Sequence, residues 1–256
     1  MRAVRADAAH QRNTRCARVV PGRVLERSGA GQVAEITLAA GHGVKIVSPT
    51  LWGIPWWQDG VQPNFNDNDI DYWMDAVLAA NPNALVIPRF PVDQPAPWWV
   101  TAHPDDMTLF NDGTRGLASV HSANWRRDAA TQIGNVIRLL EARYGDHIIG
   151  YHVCGQSTAE WFYDGFWDGK YAGYEAPALD AFKAFLRAKY VTDAALRTAW
   201  NNSSITFDTV QVPTVAERTA VNYGAFRDPA TQMKAIDFDE FANVGMADAV
   251  SLSCKA

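Results

Sequence analysis

The run D-I-D-Y-W-M-D-A-V-L-A-A (69–80), then N-P-N (81–83), then A-L-V-I-P-R (84–89), decides the fold. Apolar residues fall at Ile70, Trp73, Met74, Val77 and Leu78, the spacing of one helix face, with Asn68 or Asp69 placed to cap it. Asn81-Pro82-Asn83 stops that helix. Ala84–Pro88 is too short and too uniformly apolar for a second helix and reads as a buried strand ending in Arg89. The same unit recurs on either side. Gly31–Gly41 reads as a helix and Val44–Ser48 as a strand. Ala123–Tyr144 reads as a long helix stopped by Gly145-Asp146, followed by the strand Ile148–Val153. Helices over Pro177–Tyr190, Asp193–Trp200 and Asp237–Val250 follow, separated by a loop-rich stretch from about 205 to 230. Short strands apolar on both faces, alternating with helices, predict an α/β fold with a parallel sheet. Helix-to-strand turns are tight and strand-to-helix loops are long. In a (β/α)8 TIM-type barrel the loops after the strands build the active face.

Composition narrows the function classes. The chain has 256 residues, 48% hydrophobic and 20% charged, with a net charge of −5. That balance argues against disorder and against a dedicated nucleic-acid binder. No apolar run reaches the roughly 18 residues of a membrane span. Residues 1–27 carry seven arginines against Asp7 and Glu26, a local charge of +5, and lack the apolar core of a secretory signal. They are expected to be a disordered basic extension, leaving 28–256 as the folded portion. With no signal or span, the default localisation is cytoplasmic. Cys16, Cys154 and Cys254 form no disulfide framework. Cys154 reads as a small buried residue. No His/Cys/Asp/Glu group has metal-ligand spacing, and no phosphate-binding glycine motif follows a strand. No cofactor or metal is expected.

Nine of the ten tryptophans lie between Trp52 and Trp167. Trp52, Trp57, Trp98, Trp99 and Trp161, with Trp56, Tyr163, Phe166 and Trp167, follow the predicted strand ends. Indole rings stack on the C–H faces of sugars, and sugar hydroxyls need polar neighbours. His103, His152 and Gln156, with Asp93 and Gln94, supply them, which points to a carbohydrate cleft. Glu160 follows the third strand in Y-H-V-C-G-Q-S-T-A-E-W-F (151–162). Desolvation by Trp161 and Phe162 would raise its pKa and suit it to general-acid work. Arg89 can orient a carboxylate or arise from a structural ion pair. Gly155-Gln156-Ser157-Thr158-Ala159 has the look of a degenerate serine-hydrolase elbow. An esterase of that type places its His after the Ser, and all six His here precede Ser157.

The motifs N-P-N-A-L-V-I-P-R-F (81–90), P-A-P-W-W-V-T-A-H-P-D-D (95–106), R-Y-G-D-H-I-I-G-Y-H-V (143–153) and A-F-K-A-F-L-R-A-K-Y-V-T-D-A-A-L-R-T-A-W (181–200) resemble retaining (β/α)8-barrel glycoside hydrolases. The group most resembled is the family 42 β-galactosidases. The resemblance runs from about residue 31 to 250. It implies a barrel whose fourth strand ends near the acid/base glutamate. The strand Ile148–Val153 would then be strand 4 and Glu160 the proton donor. The family places Asn immediately before this Glu, where this chain has Ala159. The resemblance also implies a nucleophile Glu at the end of strand 7, and no matching segment is present, so the chain reads as the N-terminal half of the barrel. A retaining pair needs carboxyls about 5–5.5 Å apart and an inverting pair about 6.5–9.5 Å. Asp93, Asp164, Asp168, Glu175 and Glu217 are the loop acids on offer.

A half barrel exposes sheet edges and half a core, so self-association is expected. The leading expectation is a β-galactosidase-like glycosidase acting on a carbohydrate. The alternatives are a half barrel that binds sugar without turnover and a serine esterase using Ser157.

Overall fold

The helices and strands read from the sequence occur in the expected order, with further short elements between them. The structure, a computed structural model, describes residues 27–51, 67–92, 95, 97–155, 160–163, 165, 168–220 and 226–255. Residues 1–26 lie outside the described residues. The chain divides into two compact units, where the sequence reads as one barrel portion. The first takes in residues 1–54, 63–90 and 134–152, and the second the remainder.

In the first unit, helix α1 (Arg27–Gly41) runs into a tight turn. Gly43 there has φ +81°, a conformation that glycine adopts without strain. Strand β1 (Ile46–Val47) follows, then helix α2 (Asp67–Ala80), which packs against α1, and strand β2 (Leu85–Val86). Asn81 does more than end α2. Its buried amide donates to Val44 O at 3.1 Å, and its Oδ1 accepts from Asn83 N at 3.1 Å, locking the helix end to the start of β1. β1 and β2 pair in parallel, Ile46 with Leu85 and Val47 with Val86. Val86 also bridges Ile148 in parallel, and Thr50 bridges Arg89. Three parallel segments therefore lie side by side in sequence order, as a barrel wall requires.

One face of this sheet is closed. Ala84 and Val86 are buried, and Ile70, Met74 and Val77 of α2 complete the core with Val136 and Leu140. The other face is open, with Ile46 59%, Leu85 36% and Ile149 50% exposed. Behind the sheet, Arg143 meets Asp71 at 2.8 Å, and the Tyr144 hydroxyl donates to Asp71 at 2.7 Å and Asp75 at 3.1 Å.

Strand β3 (Arg89–Pro91) runs from residues of the first unit into the second. The loop expected at 91–103 contains a short helix, α3 (Pro97–Ala102). After it comes an antiparallel hairpin of β4 (Met107–Leu109) and β5 (Arg115–Ala118) that the strand–helix alternation did not anticipate. Helix α4 (Ala123–Tyr144) has the expected bounds. Trp125 on α4 is buried and donates its indole N–H to Val92 O at 3.1 Å. Strand β6 (His152–Cys154) runs beside β3, and Val92 N–H donates to Cys154 O at 2.8 Å.

Helices α5 (Ala176–Tyr190), α6 (Asp193–Ala199), α7 (Val215–Arg218) and α8 (Pro229–Lys255) complete the unit. Phe182, Leu186, Leu196, Phe207, Val210, Phe238 and Phe241 form their core. Asp237 is fully buried on α8 and accepts from Lys189 Nζ at 2.8 Å, Tyr190 Oη at 2.9 Å and Trp200 Nε1 at 2.6 Å. A buried carboxylate persists only with such partners. It ties α8 to α5 and to the end of α6.

Candidate active site

Expected site residues fall in both units. Trp52, Trp57 and Gln156 lie outside the described residues, as do Asp93, Asp164 and Ser157. In the first unit, Arg89 sits at the carboxyl end of the 84–88 segment. Its N–H donates to Pro49 O at 2.8 Å and its carbonyl accepts from Leu51 N at 2.8 Å. His152, which opens β6, is exposed, and its N–H donates to Pro88 O at 3.0 Å.

The second unit separates Trp98 from Trp99. Successive helical residues point about 100° apart, so α3 sends the two rings in different directions. Trp98 is half-buried. Trp99 is 0% exposed and donates its indole N–H to Asp128 Oδ2 at 2.9 Å. Trp99 therefore corrects its expected place in a sugar cleft: it is a core residue. Its ring lies 4.6 Å from that of His103. His103 Nδ1 is 3.4 Å from Asp106 Oδ2, and Asn124 donates to the same carboxylate oxygen at 3.0 Å. His103 stays partly exposed with its ring held from two sides.

Glu160 follows β6 in the described segment 160–163, and it is exposed. The expected desolvation by its aromatic neighbours is not seen. Phe162 is 44% exposed, and Trp161 turns back toward the strand. The Trp161 indole N–H donates to Val153 O at 3.4 Å, and its ring covers Gly155 so closely that a Cβ there would lie 2.8 Å from ring carbons. Tyr163 reaches inward, its hydroxyl hydrogen-bonded to His121 Nε2 at 3.0 Å. Burial, then the charge of Arg126, push the His121 pKa down to about 3, so this imidazole is neutral at ordinary pH.

Two of the loop acids are committed to structure. Glu175 is buried, accepting from the Ser119 hydroxyl at 2.6 Å and Leu109 N–H at 2.9 Å. Burial raises its pKa, and those hydrogen bonds oppose the rise. Glu217 closes a capping box with Thr214 at the start of α7 and pairs with Lys234 at 2.9 Å. Asp168 remains as an exposed acid in the described part of the 154–174 loop. Among the described residues no group of three His, Cys, Asp or Glu could hold a metal, and no helix is long and apolar enough to cross a membrane. The His121–Tyr163 pair was the part of this region missed in the sequence. The two residues are 42 positions apart, and nothing in their spacing joins them.

A family model described as Beta-galactosidase, glycoside hydrolase family 42, matches residues 57–256. The chain belongs to this family. Family 42 structures accordingly share its fold. A β-galactosidase from the psychrophilic Marinomonas ef1 superposes with a TM-score of 0.62 at 18% identity, over 90% of this chain and 33% of its own. A β-galactosidase from Bacillus circulans sp. alkalophilus gives 0.64 at 14% identity, over 90% and 32%. The β-amylase catalytic domain from Paenibacillus polymyxa gives 0.70 at 14%, over 91% and 59%. No curated protein matches the sequence. The family 42 chain described here is thus α/β of the (β/α)8-barrel type, with parallel strands, and spans about a third of the length of the β-galactosidases it superposes on.

Proposed function

We propose that this chain hydrolyses β-glycosidic bonds, β-galactosides first among them, with Glu160 as the proton donor. The family match across residues 57–256 carries the reading, because it spans Glu160 and the strand leading to it. Its position after a parallel strand suits the role, since barrel enzymes collect their chemistry there. Its exposure leaves it open to a glycosidic oxygen. Trp98 offers a stacking surface, and Arg89, His103, His152 and Trp161, with Trp52, Trp57 and Gln156, are the further residues assigned to sugar binding. A second carboxyl must complete the reaction, as nucleophile or base. Neither Glu175 nor Glu217 is suited to it, since both are engaged in structural hydrogen bonds.

The reading includes self-association. The open sheet face with Ile46, Leu85 and Ile149 is apolar and unfilled, and a second copy is its proposed cover.

A panel of aryl β-glycosides, galactoside included, tests the proposal on the wild type and Glu160→Gln. Turnover by the wild type, and a loss on the order of a hundredfold in the variant, is the expected result for a missing general acid. No turnover of any substrate by the wild type would overturn it. A sugar-dependent change in Trp fluorescence in that case would leave a carbohydrate-binding module.

A further inference from the structure

The described segment 160–163 lies beyond the end of β6 at Cys154 and opens on Glu160, which is exposed. Trp161 and Tyr163 tie the segment to its surroundings. Trp161 folds back onto the end of β6 through Val153 O and Gly155. Tyr163 drives its side chain into the helical part of the second unit, where burial pushes its hydroxyl pKa well up and His121 is its partner at 3.0 Å. His121 cannot easily move. Its ring stacks on Phe241 of α8 at 4.3 Å and 17°. Gly245, one turn further along α8, gives it room: a Cβ there would run into His121 Cε1. The His121 N–H also donates to Ser119 Oγ at 3.2 Å, and Ser119 in turn donates to the buried Glu175. Gly173 is similarly shaped to Tyr163, since a Cβ there would lie 3.2 Å from the hydroxyl and 2.7 Å from Phe238.

We propose that the His121–Tyr163 hydrogen bond is the anchor that ties the Glu160-bearing segment to α8, making both residues positioning residues for the proton donor. The proposal rests on the glycosidase reading for its catalytic consequence and on the geometry alone for the anchor. The hydroxyl and the imidazole are both part-buried, so breaking their bond leaves two polar groups with little access to water in its place. With His121 neutral, the tether does not loosen around neutral pH. The anchor also joins Glu160 to a glycine on a helix some eighty residues later in the chain.

The test is Tyr163→Phe, which removes one oxygen and keeps the ring. Hydrogen exchange followed by mass spectrometry reads the anchor without any need for activity. The expected result is exchange about tenfold faster in peptides covering 160–163, with α5 unchanged as the control for an intact fold. With an aryl β-galactoside, kcat is expected to fall about tenfold while KM stays within about twofold, because substrate contacts are intact and only the acid is misplaced. Gly245→Ala is the second variant. Its methyl displaces His121 and is expected to reproduce both changes. Unchanged exchange at 160–163 in both variants would overturn the anchor. Faster exchange with unchanged kcat would overturn its positioning role. If the wild type itself turns over nothing, the glycosidase reading fails, and the exchange result still decides the anchor.

Discussion

Trp98 and Trp99 are chemically identical neighbours in different surroundings. Trp99 is fully buried and bonded to Asp128, so Trp99→Ala is expected to cost about 3–5 kcal/mol of stability, measured by denaturant unfolding. Trp98→Ala should leave stability within about 1 kcal/mol and raise KM for an aryl glycoside roughly fivefold, the loss of one stacking contact. A large stability loss at Trp98, or a selective KM effect at Trp99, would reverse these assignments. The sequence marked both as candidates, because composition and position after a strand do not resolve which face of a six-residue helix points inward. The same limit applies to Glu160. Its flanking Trp and Phe suggested a desolvated carboxyl, but whether neighbours in sequence cover a side chain depends on where the backbone sends them.

Elements with clear periodicity were legible. Helix α4 has the bounds read from its apolar spacing and its Gly145-Asp146 stop, and the three strands pair in the parallel order that their helix crossovers imply. The β4–β5 hairpin was not read, although Asp112-Gly113 is a turn signal and Gly113 has φ +81°. Its strands are three and four residues long, too short to display alternation. Nor could the contact of His121 with α8 be read, since it depends on how helices far apart in sequence pack. That contact predicts a pH dependence. The His121 pKa is depressed from 6.5 to about 3, so the folded state resists a proton that the unfolded chain accepts. Its contribution to stability is present above pH 6.5 and is lost as pH falls toward 3, at up to about 1.4 kcal/mol per pH unit. Glu175, with its raised pKa, acts in the opposite sense, gaining stability as it protonates. Comparison with His121→Gln isolates the histidine. Between pH 6.5 and 5 the wild type should lose about 2 kcal/mol more than the variant in urea unfolding. Parallel curves for the two proteins would show that folding leaves the His121 pKa unshifted.

At the scale of the whole molecule, the fold is of the (β/α)8-barrel type, and the three parallel segments of its first unit leave the apolar side chains Ile46, Leu85 and Ile149 exposed. Analytical ultracentrifugation of the 256-residue chain should find a dimer or larger species, and Ile46→Lys with Ile149→Lys should shift it toward monomer. A wild-type monomer at tens of micromolar would contradict that expectation. Family and fold were readable at this scale because order and spacing of motifs survive where single residues vary. The second carboxyl was not, because no acid after Glu160 sits in a matching motif. The central claim is that Glu160 gives a proton to the leaving group, and its most direct test varies the leaving group. Proton donation matters for a phenyl leaving group and hardly at all for 2,4-dinitrophenyl, which departs as a stable anion. Glu160→Gln should therefore lose on the order of a hundredfold in kcat/KM on phenyl β-galactoside and less than about tenfold on the dinitrophenyl substrate. Equal losses on both, or no loss on either, would contradict the assignment of Glu160 as the proton donor.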